Sequence, residues 1–301
     1  MRLTRREALL GALALGGALA GCRQALAAPP PPPIDSGTDT DIAGLESRHR
    51  AQIAVWAVDL GSGATVTHRA DQRFAMCSTF KTYAAARALQ LAARRELDLD
   101  VPVPVSAADI VVDSPVTSTL VGGTITLAEA CAAALTRSDN TAGNLVLRAI
   151  GGPQAITAFA RGVGDDQTRL DRWEPDLNEA ILGDPRDTTT ARALCAGYRR
   201  VLIDDALDPP QQDRLLGWMR ATATSDKRFR AGLPPGWTSA DKTGAGAYGS
   251  TNDAGVLFGP TGERVVLAVL IRSSDDRKDT APLNGAIADT VRLALTRLGY
   301  Q

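Results

Sequence analysis

Histidine is almost missing from this chain: only His49 and His68 occur among 301 residues, and neither has metal-ligand spacing around it. That scarcity excludes a histidine-rich metal centre, leaves any nucleophile to find a base other than imidazole, and places both histidines on the surface by expectation. Aromatic residues make up 4% of the chain, and no apolar run reaches the roughly 20 residues that span a bilayer. Charge of one sign is also lacking, since 33 Lys and Arg stand against 34 Asp and Glu for a net charge of −1. A nucleic-acid partner is therefore not expected. No cofactor motif and no internal repeat is present, and the apolar content of 44% suits one large domain or two lobes around a real core.

Cysteine is scarce too. Of Cys22, Cys77, Cys131 and Cys195, the first lies in a leader-like segment, and the remaining three are an odd set that forms no disulfide framework. Residues 1–27 read as an export signal: Arg2, Arg5 and Arg6 precede an apolar stretch from Ala8 to Ala20. Thr4-Arg5-Arg6-Glu7-Ala8-Leu9-Leu10 is similar to a twin-arginine signal, with Ala8 where a large apolar residue is usual. Leu19-Ala20-Gly21-Cys22 resembles a lipobox, which would leave a lipid anchor at Cys22, whereas Ala25-Leu26-Ala27 fits an ordinary cleavage site. Removing residues 1–27 takes away four Arg and one Glu and leaves a net charge of −4. The Pro-rich segment 28–39 cannot pack a core and reads as an extended spacer. The expected destination is the periplasm or the exterior, free or tethered, and the expected state is a monomer.

Ile53 to Asp59, Gly61-Ser62-Gly63 and Ala64 to His68 read as a β-hairpin whose first strand is apolar on both faces. A second hairpin, Ala254 to Phe258 and Arg264 to Ile271 around Gly259-Pro260-Thr261-Gly262, precedes a helix with Ile287, Val291, Ala294, Leu295 and Leu298 on one stripe. The middle is helical in pattern: Phe80, Ala84, Ala88 and Leu91 share a face, and Thr126 to Glu129 forms a capping box. Strands at both ends and helices between them predict an α+β fold, with one lobe built from both termini and a helical insertion.

The chemistry lies in three short motifs in order. Ser78-Thr79-Phe80-Lys81 sets a lysine one helical turn from a serine, the spacing that lets an amine pair with a hydroxyl. Alone it is a solvated helix face as readily as a site, since ordinary residue usage yields about one such pattern in a chain of this length. Ser138-Asp139-Asn140 and Lys242-Thr243-Gly244 follow it, and with all three the chain resembles the class A β-lactamases and their penicillin-binding relatives.

That resemblance spans roughly residues 40–300. It implies an antiparallel five-stranded sheet with flanking helices in residues 40–76 and 221–301, and an all-helical lobe over 77–220 carrying an Ω-type loop near 172–187. It also implies hydrolysis of a β-lactam amide through a Ser78 acyl-enzyme, with no metal or cofactor. Lys81 is then the proton partner of Ser78, the backbone N–H groups of Ser78 and Ala245 form the oxyanion hole, and Ser138 carries a proton to the leaving nitrogen. Asn140 contacts the substrate amide, Asp139 braces its loop, and Lys242 and Thr243 bind the substrate carboxylate.

Trp173-Glu174-Pro175-Asp176-Leu177-Asn178 distinguishes a hydrolase from a protein that only traps penicillin, because a carboxylate with an amide four residues on can hold and activate a water. Glu174 is the expected base of deacylation and Asn178 its positioner, while Arg172 and Asp187 are expected to pair and close the loop. The acylation base stays open between Lys81 and Glu174. Relatives supply an extra cation from one of two places, occupied here by Arg228 and Thr251, and Arg228 is the expected one. Two features depart from the family. Cys77 has no cysteine partner after Lys-Thr-Gly, where Ala245 and Gly246 stand, so a free thiol is expected. Asp113 stands where an aromatic residue is common, so weaker binding of anionic substrates is expected.

Overall fold

The computed structural model describes residues 38–301 of the chain; the segment read as an export signal, Cys22 and almost all of the Pro-rich spacer lie outside them. In chain order the first elements are α1 (Thr38–His49), β1 (Ala51–Asp59), β2 (Thr65–His68), β3 (Arg73–Ala75) and α2 (Phe80–Ala93). β4 (Pro102–Pro104), β5 (Thr124–Thr126), α3 (Leu127–Thr136), α4 (Asn140–Ile150) and α5 (Pro153–Gly162) come next. Then follow β6 (Thr188–Thr190), α6 (Ala191–Leu202), α7 (Pro209–Arg220), α8 (Phe229–Gly232), β7 (Thr238–Ala245), β8 (Thr251–Phe258), β9 (Arg264–Ser273) and α9 (Asn284–Arg297).

β2, β1, β9, β8 and β7 lie side by side in that order as one antiparallel sheet, so both chain ends supply strands as the hairpin patterns predict. Each central strand alternates between two buried faces. Ala54, Val266, Ala268 and Leu270 face a core shared with helices α2 to α7. Ile53, Val55, Ala57, Val265, Leu267, Val269 and Ile271 face a second core with Ile42 and Leu45 of α1 and Ile287, Val291 and Leu295 of α9. Because the side-chain period is two, a one-residue slip of β1 against β9 would exchange the two sets, and this fixes the register Ala54↔Leu270, Val55↔Val269. The sheet and the helical region thus share a single core on one side.

The sequence pattern leaves α1 unassigned, because its residues show no strong apolar stripe; packing of Ile42 and Leu45 on α9 and β1 holds it. His68 corrects a sequence expectation. It is 7% exposed beside Glu46, since its strand position turns it under α1, whereas His49 meets Asp289 at 2.8 Å. Among the described residues no cluster of His, Cys, Asp or Glu has the geometry to hold a metal.

Candidate active site

Ser78 sits in a 3₁₀ turn, Cys77–Thr79, that runs directly into α2. α2 is buried on nearly every side, so Lys81 is carried into the interior at 0% exposure instead of onto a solvated face. Its ammonium donates to Ser78 Oγ at 3.0 Å, the Ser138 carbonyl at 2.8 Å and Asn140 Oδ1 at 2.6 Å, and lies 3.1 Å from Glu174 Oε1. A buried cation needs this many acceptors. Gly143 on α4 makes room for it: a Cβ there would stand 2.9 Å from Lys81 Cε.

Asp139 caps α4 and accepts from Ala142 N at 2.8 Å, Val116 N at 2.8 Å, Thr117 N at 2.9 Å and Thr117 Oγ1 at 2.8 Å. It therefore ties the loop bearing Asp113 to the loop bearing Ser138. Asn140 donates to the Val112 carbonyl at 2.9 Å, and Asp113 lines the mouth of the cleft. Cys77, Asp113 and Ser138 all take left-handed backbone angles, with φ of 46°, 60° and 57°. Such conformations cost on the order of 1–3 kcal/mol and persist only where the surroundings over-determine them, as the Asp139 hydrogen bonds do around Asp113 and Ser138 and those of Asn252 to Ala75 O and Met76 O do beside Cys77.

Glu174 reaches the same point from the opposite wall. Its Oε1 accepts from Ser78 Oγ at 3.2 Å and its Oε2 from Asn178 Nδ2 at 2.6 Å. Asn144 clamps its backbone, donating to Glu174 O at 2.9 Å and accepting from Glu174 N at 3.0 Å. The loop closes on Asp187, which is 1% exposed and accepts from Asp171 N at 2.7 Å, Arg172 N at 3.0 Å and Arg172 Nε at 2.6 Å. Arg172 also meets Glu179 at 2.5 Å. The pair is thus partly buried and multiply bonded, unlike a surface ion pair worth about 0–1 kcal/mol.

The third wall is edge strand β7. Lys242 is fully buried, donates to Ser138 Oγ at 2.9 Å and to its neighbour's carbonyl at 2.7 Å, and burial, then Lys81 and Arg228, hold its pKa well below the usual lysine range. Thr243 Oγ1 lies 2.6 Å from Thr224 Oγ1. Gly244 is required by contact: a Cβ there would stand 3.0 Å from Met76 O and 3.2 Å from Cys77 Cβ, pushing β7 off the turn that bears Ser78. Arg228 lies under the strand, donating to Gly244 O at 2.7 Å, Asn252 O at 2.9 Å and Asn284 Oδ1 at 2.8 Å. Thr251 is spent on Gly249 O and Leu283 N, both at 2.8 Å. The three walls enclose a cleft of about 650 Å³ lined by Ser78, Asp113, Ser138, Asn140, Asn178, Arg228, Thr243 and Ala245, among others.

A buried serine with an amine at 3.0 Å, a carboxylate at 3.2 Å and no imidazole is an acyl-transfer centre. Residues 38–295 match the model of the β-lactamase enzyme family. The chain is 45% identical to β-lactamase AST-1 of Nocardia asteroides, over 95% of both chains. It is 47% identical to a β-lactamase of Streptomyces lavendulae over 86% of this chain and 85% of that one. The solved structure of the last common ancestor of Gram-negative bacteria class A β-lactamase aligns with a TM-score of 0.83 at 43% identity, over 87% of this chain and all of that one. The chain belongs to the class A β-lactamases.

Within that family pattern the structure accounts for both departures. Cys77 is a buried free thiol, as are Cys131 and Cys195, and burial, reinforced by Glu174, pushes it up to about 12. Ellman's reagent should therefore find no fast-reacting thiol among Cys77, Cys131 and Cys195 in the folded β-lactamase at pH 8 and all three after denaturation, because thiolate is the reactive form. Asp113 is exposed at the mouth of the cleft. Asp113→Asn tolerates the same left-handed backbone and removes only the charge, so KM for an anionic penicillin should fall about twofold at low ionic strength and converge with the parent at high salt. Asp113→Tyr adds apolar contact and should lower KM further.

Sequence reasoning missed Gly143, Asn144, Glu179 and Asn252. Asn144 was within reach, since it stands one helical turn after Asn140 on the same face. Asn252 donates to the carbonyls of Ala75 at 2.8 Å and Met76 at 3.1 Å across 177 residues, a tie with no local pattern.

Proposed function

We propose that this β-lactamase hydrolyses β-lactam antibiotics through an acyl-enzyme on Ser78. The substrate carboxylate docks on Lys242 and Thr243, with Arg228 beneath, and its carbonyl oxygen points at the backbone N–H groups of Ser78 and Ala245. Ser78 Oγ transfers its proton toward Glu174 and forms the new C–O bond. The C–N bond then breaks, and the proton that Glu174 took passes by way of Lys81, 3.1 Å away, and Ser138, which Lys242 and Lys81 flank, to the leaving nitrogen, so that Glu174 is a carboxylate again. In the second half Glu174 takes a proton from water, the water oxygen attacks the ester, and Ser78 leaves with its proton restored.

The observation that carries the reading is the double hold on Glu174, one oxygen at Ser78 and the other on Asn178. Asn178 Oδ1 is buried with no protein donor, so it is left to accept from the attacking water. Lys81 uses its N–H groups on oxygens in this resting state, which favours Glu174 as the first proton acceptor.

Incubation with a chromogenic cephalosporin tests the reading: sustained turnover is expected. A one-equivalent burst would make the protein a trapping receptor, and release of D-alanine from a D-alanyl-D-alanine peptide would make it a cell-wall peptidase. Export, a monomeric state and either a lipidated Cys22 or cleavage after Ala27 belong to the same proposal; the intact mass of the secreted form distinguishes the last two.

A further inference from the structure

Asp241 and Asp253 are two acidic residues at 0% exposure that no catalytic step uses. They come from neighbouring strands. Thr243 of β7 stands opposite Asp253 of β8, so Asp241, two residues earlier, is its diagonal neighbour on the same face. One oxygen of each is satisfied: Ser239 Oγ donates to Asp241 Oδ1 at 2.5 Å, and Ser225 Oγ and Phe229 N both donate to Asp253 Oδ2 at 3.2 Å. The other two, Asp241 Oδ2 and Asp253 Oδ1, are buried with no hydrogen-bond donor, on side chains that are diagonal neighbours on one face of the sheet. Two acceptors cannot satisfy one another without a proton between them.

The charges around the substrate-carboxylate site then sort into pairs. Lys81 has Glu174 at 3.1 Å. Arg228 is bound to carbonyls and an amide, with Asp253 and Asp241 both acting to favour its charge. Lys242 has no carboxylate within ion-pair reach among the described residues. We propose that Asp241 and Asp253 share one buried proton and act as a fixed single negative charge that balances Arg228, leaving Lys242 as the unbalanced cation that selects a monoanionic substrate. The inference rests on the hydrolase reading for its substrate, not for its proton.

Two ionised carboxylates would cancel Lys242 as well. Two neutral ones would leave Lys242 beside an unbalanced Arg228 and drive it toward the neutral amine. Burial raises both acids above the usual carboxylate range; the Asp241 charge adds to the rise at Asp253, whereas hydrogen bonds, that of Ser239 first, oppose it at Asp241. The remaining charged or titratable groups that face the pair are Arg230 beside Asp241 and the buried phenol of Tyr198 on α6. These two aspartates are positioning residues, acting through Lys242 and Arg228.

Infrared difference spectroscopy of the whole enzyme tests the proton directly. A protonated carboxyl stretch should be present at neutral pH and be lost in Asp253→Asn; a band that does not differ between the two proteins overturns the proposal. The same measurement is silent on catalysis, so wild-type failure to turn over a β-lactam would defeat the hydrolase reading alone. The pH dependence of kcat/KM for a monoanionic penicillin tests the role. Asp253→Asn keeps a single charge with an amide donor and should stay within about threefold of wild type, its alkaline limb unmoved. Asp241→Asn with Asp253→Asn removes the charge, so the limb set by Lys242 should move at least about one pH unit lower, with KM near pH 8 rising about tenfold and kcat changing less. A folded double variant whose limb coincides with wild type overturns the role, and if it does not fold the infrared comparison alone decides.

Discussion

Glu174→Ala should convert a catalyst into a trap: mixed with a penicillin, it gains the mass of one substrate molecule and holds it, while steady-state turnover falls by about 10²–10⁴-fold, the usual contribution of a positioned general base. Acylation survives because Lys81 Nζ stands 3.0 Å from Ser78 Oγ and, with the carboxylate at 3.1 Å removed, is the remaining basic group in reach of the serine proton. Deacylation has no such substitute, since Asn178 offers only an amide. Intact mass after seconds and after hours reads both halves. Prompt loss of the adduct would remove Glu174 from the role of deacylation base.

Lys81→Ala should give the opposite signature, with no adduct at all and kcat/KM lower by about 10³-fold or more. Ser78 then lacks its hydrogen-bond donor, and Glu174, 3% exposed, faces the site without its cation. Breaking a buried ion pair from one side costs about 3 kcal/mol or more, so the melting temperature should fall by about 6–12 °C for a domain of this size. Stability and chemistry can be separated with Lys81→Arg, which keeps the charge and much of the packing but, as a guanidinium, cannot act as a base. Rapid acylation by Lys81→Arg would show that Glu174 alone takes the Ser78 proton.

Much of this architecture was legible in sequence, and the reason is periodicity. The 53–59 segment declares a strand buried on both faces, the 254–258 and 264–271 segments declare a second hairpin, and the Thr126–Glu129 capping box declares the start of α3, which the structure forms with Thr126 as cap. α1 and the short strands β3 to β6 were not legible, because each is held by partners distant in the chain: β3 pairs with β6 across more than 100 residues. His68 was misplaced for the same reason, its burial being a property of α1 lying over β2.

At the site, the sequence determined which chemistry was available. Local spacing sets Lys81 one turn from Ser78 and Asn178 one turn from Glu174, and the near absence of histidine forces the base to be a lysine or a carboxylate. Only the tertiary structure decided how those groups meet. Lys81 is a buried ammonium between Ser78, Ser138, Asn140 and Glu174 because α2 is enclosed by α3, α4, α5 and α7. Arg228 lies beneath β7, and Asp241 meets Asp253, because two strands align with a register that no local pattern encodes. Short-range geometry follows from residue spacing along a helix or strand; the sharing of protons and the balance of buried charge depend on desolvation and on contacts between segments far apart in the chain, which exist only once the core has closed.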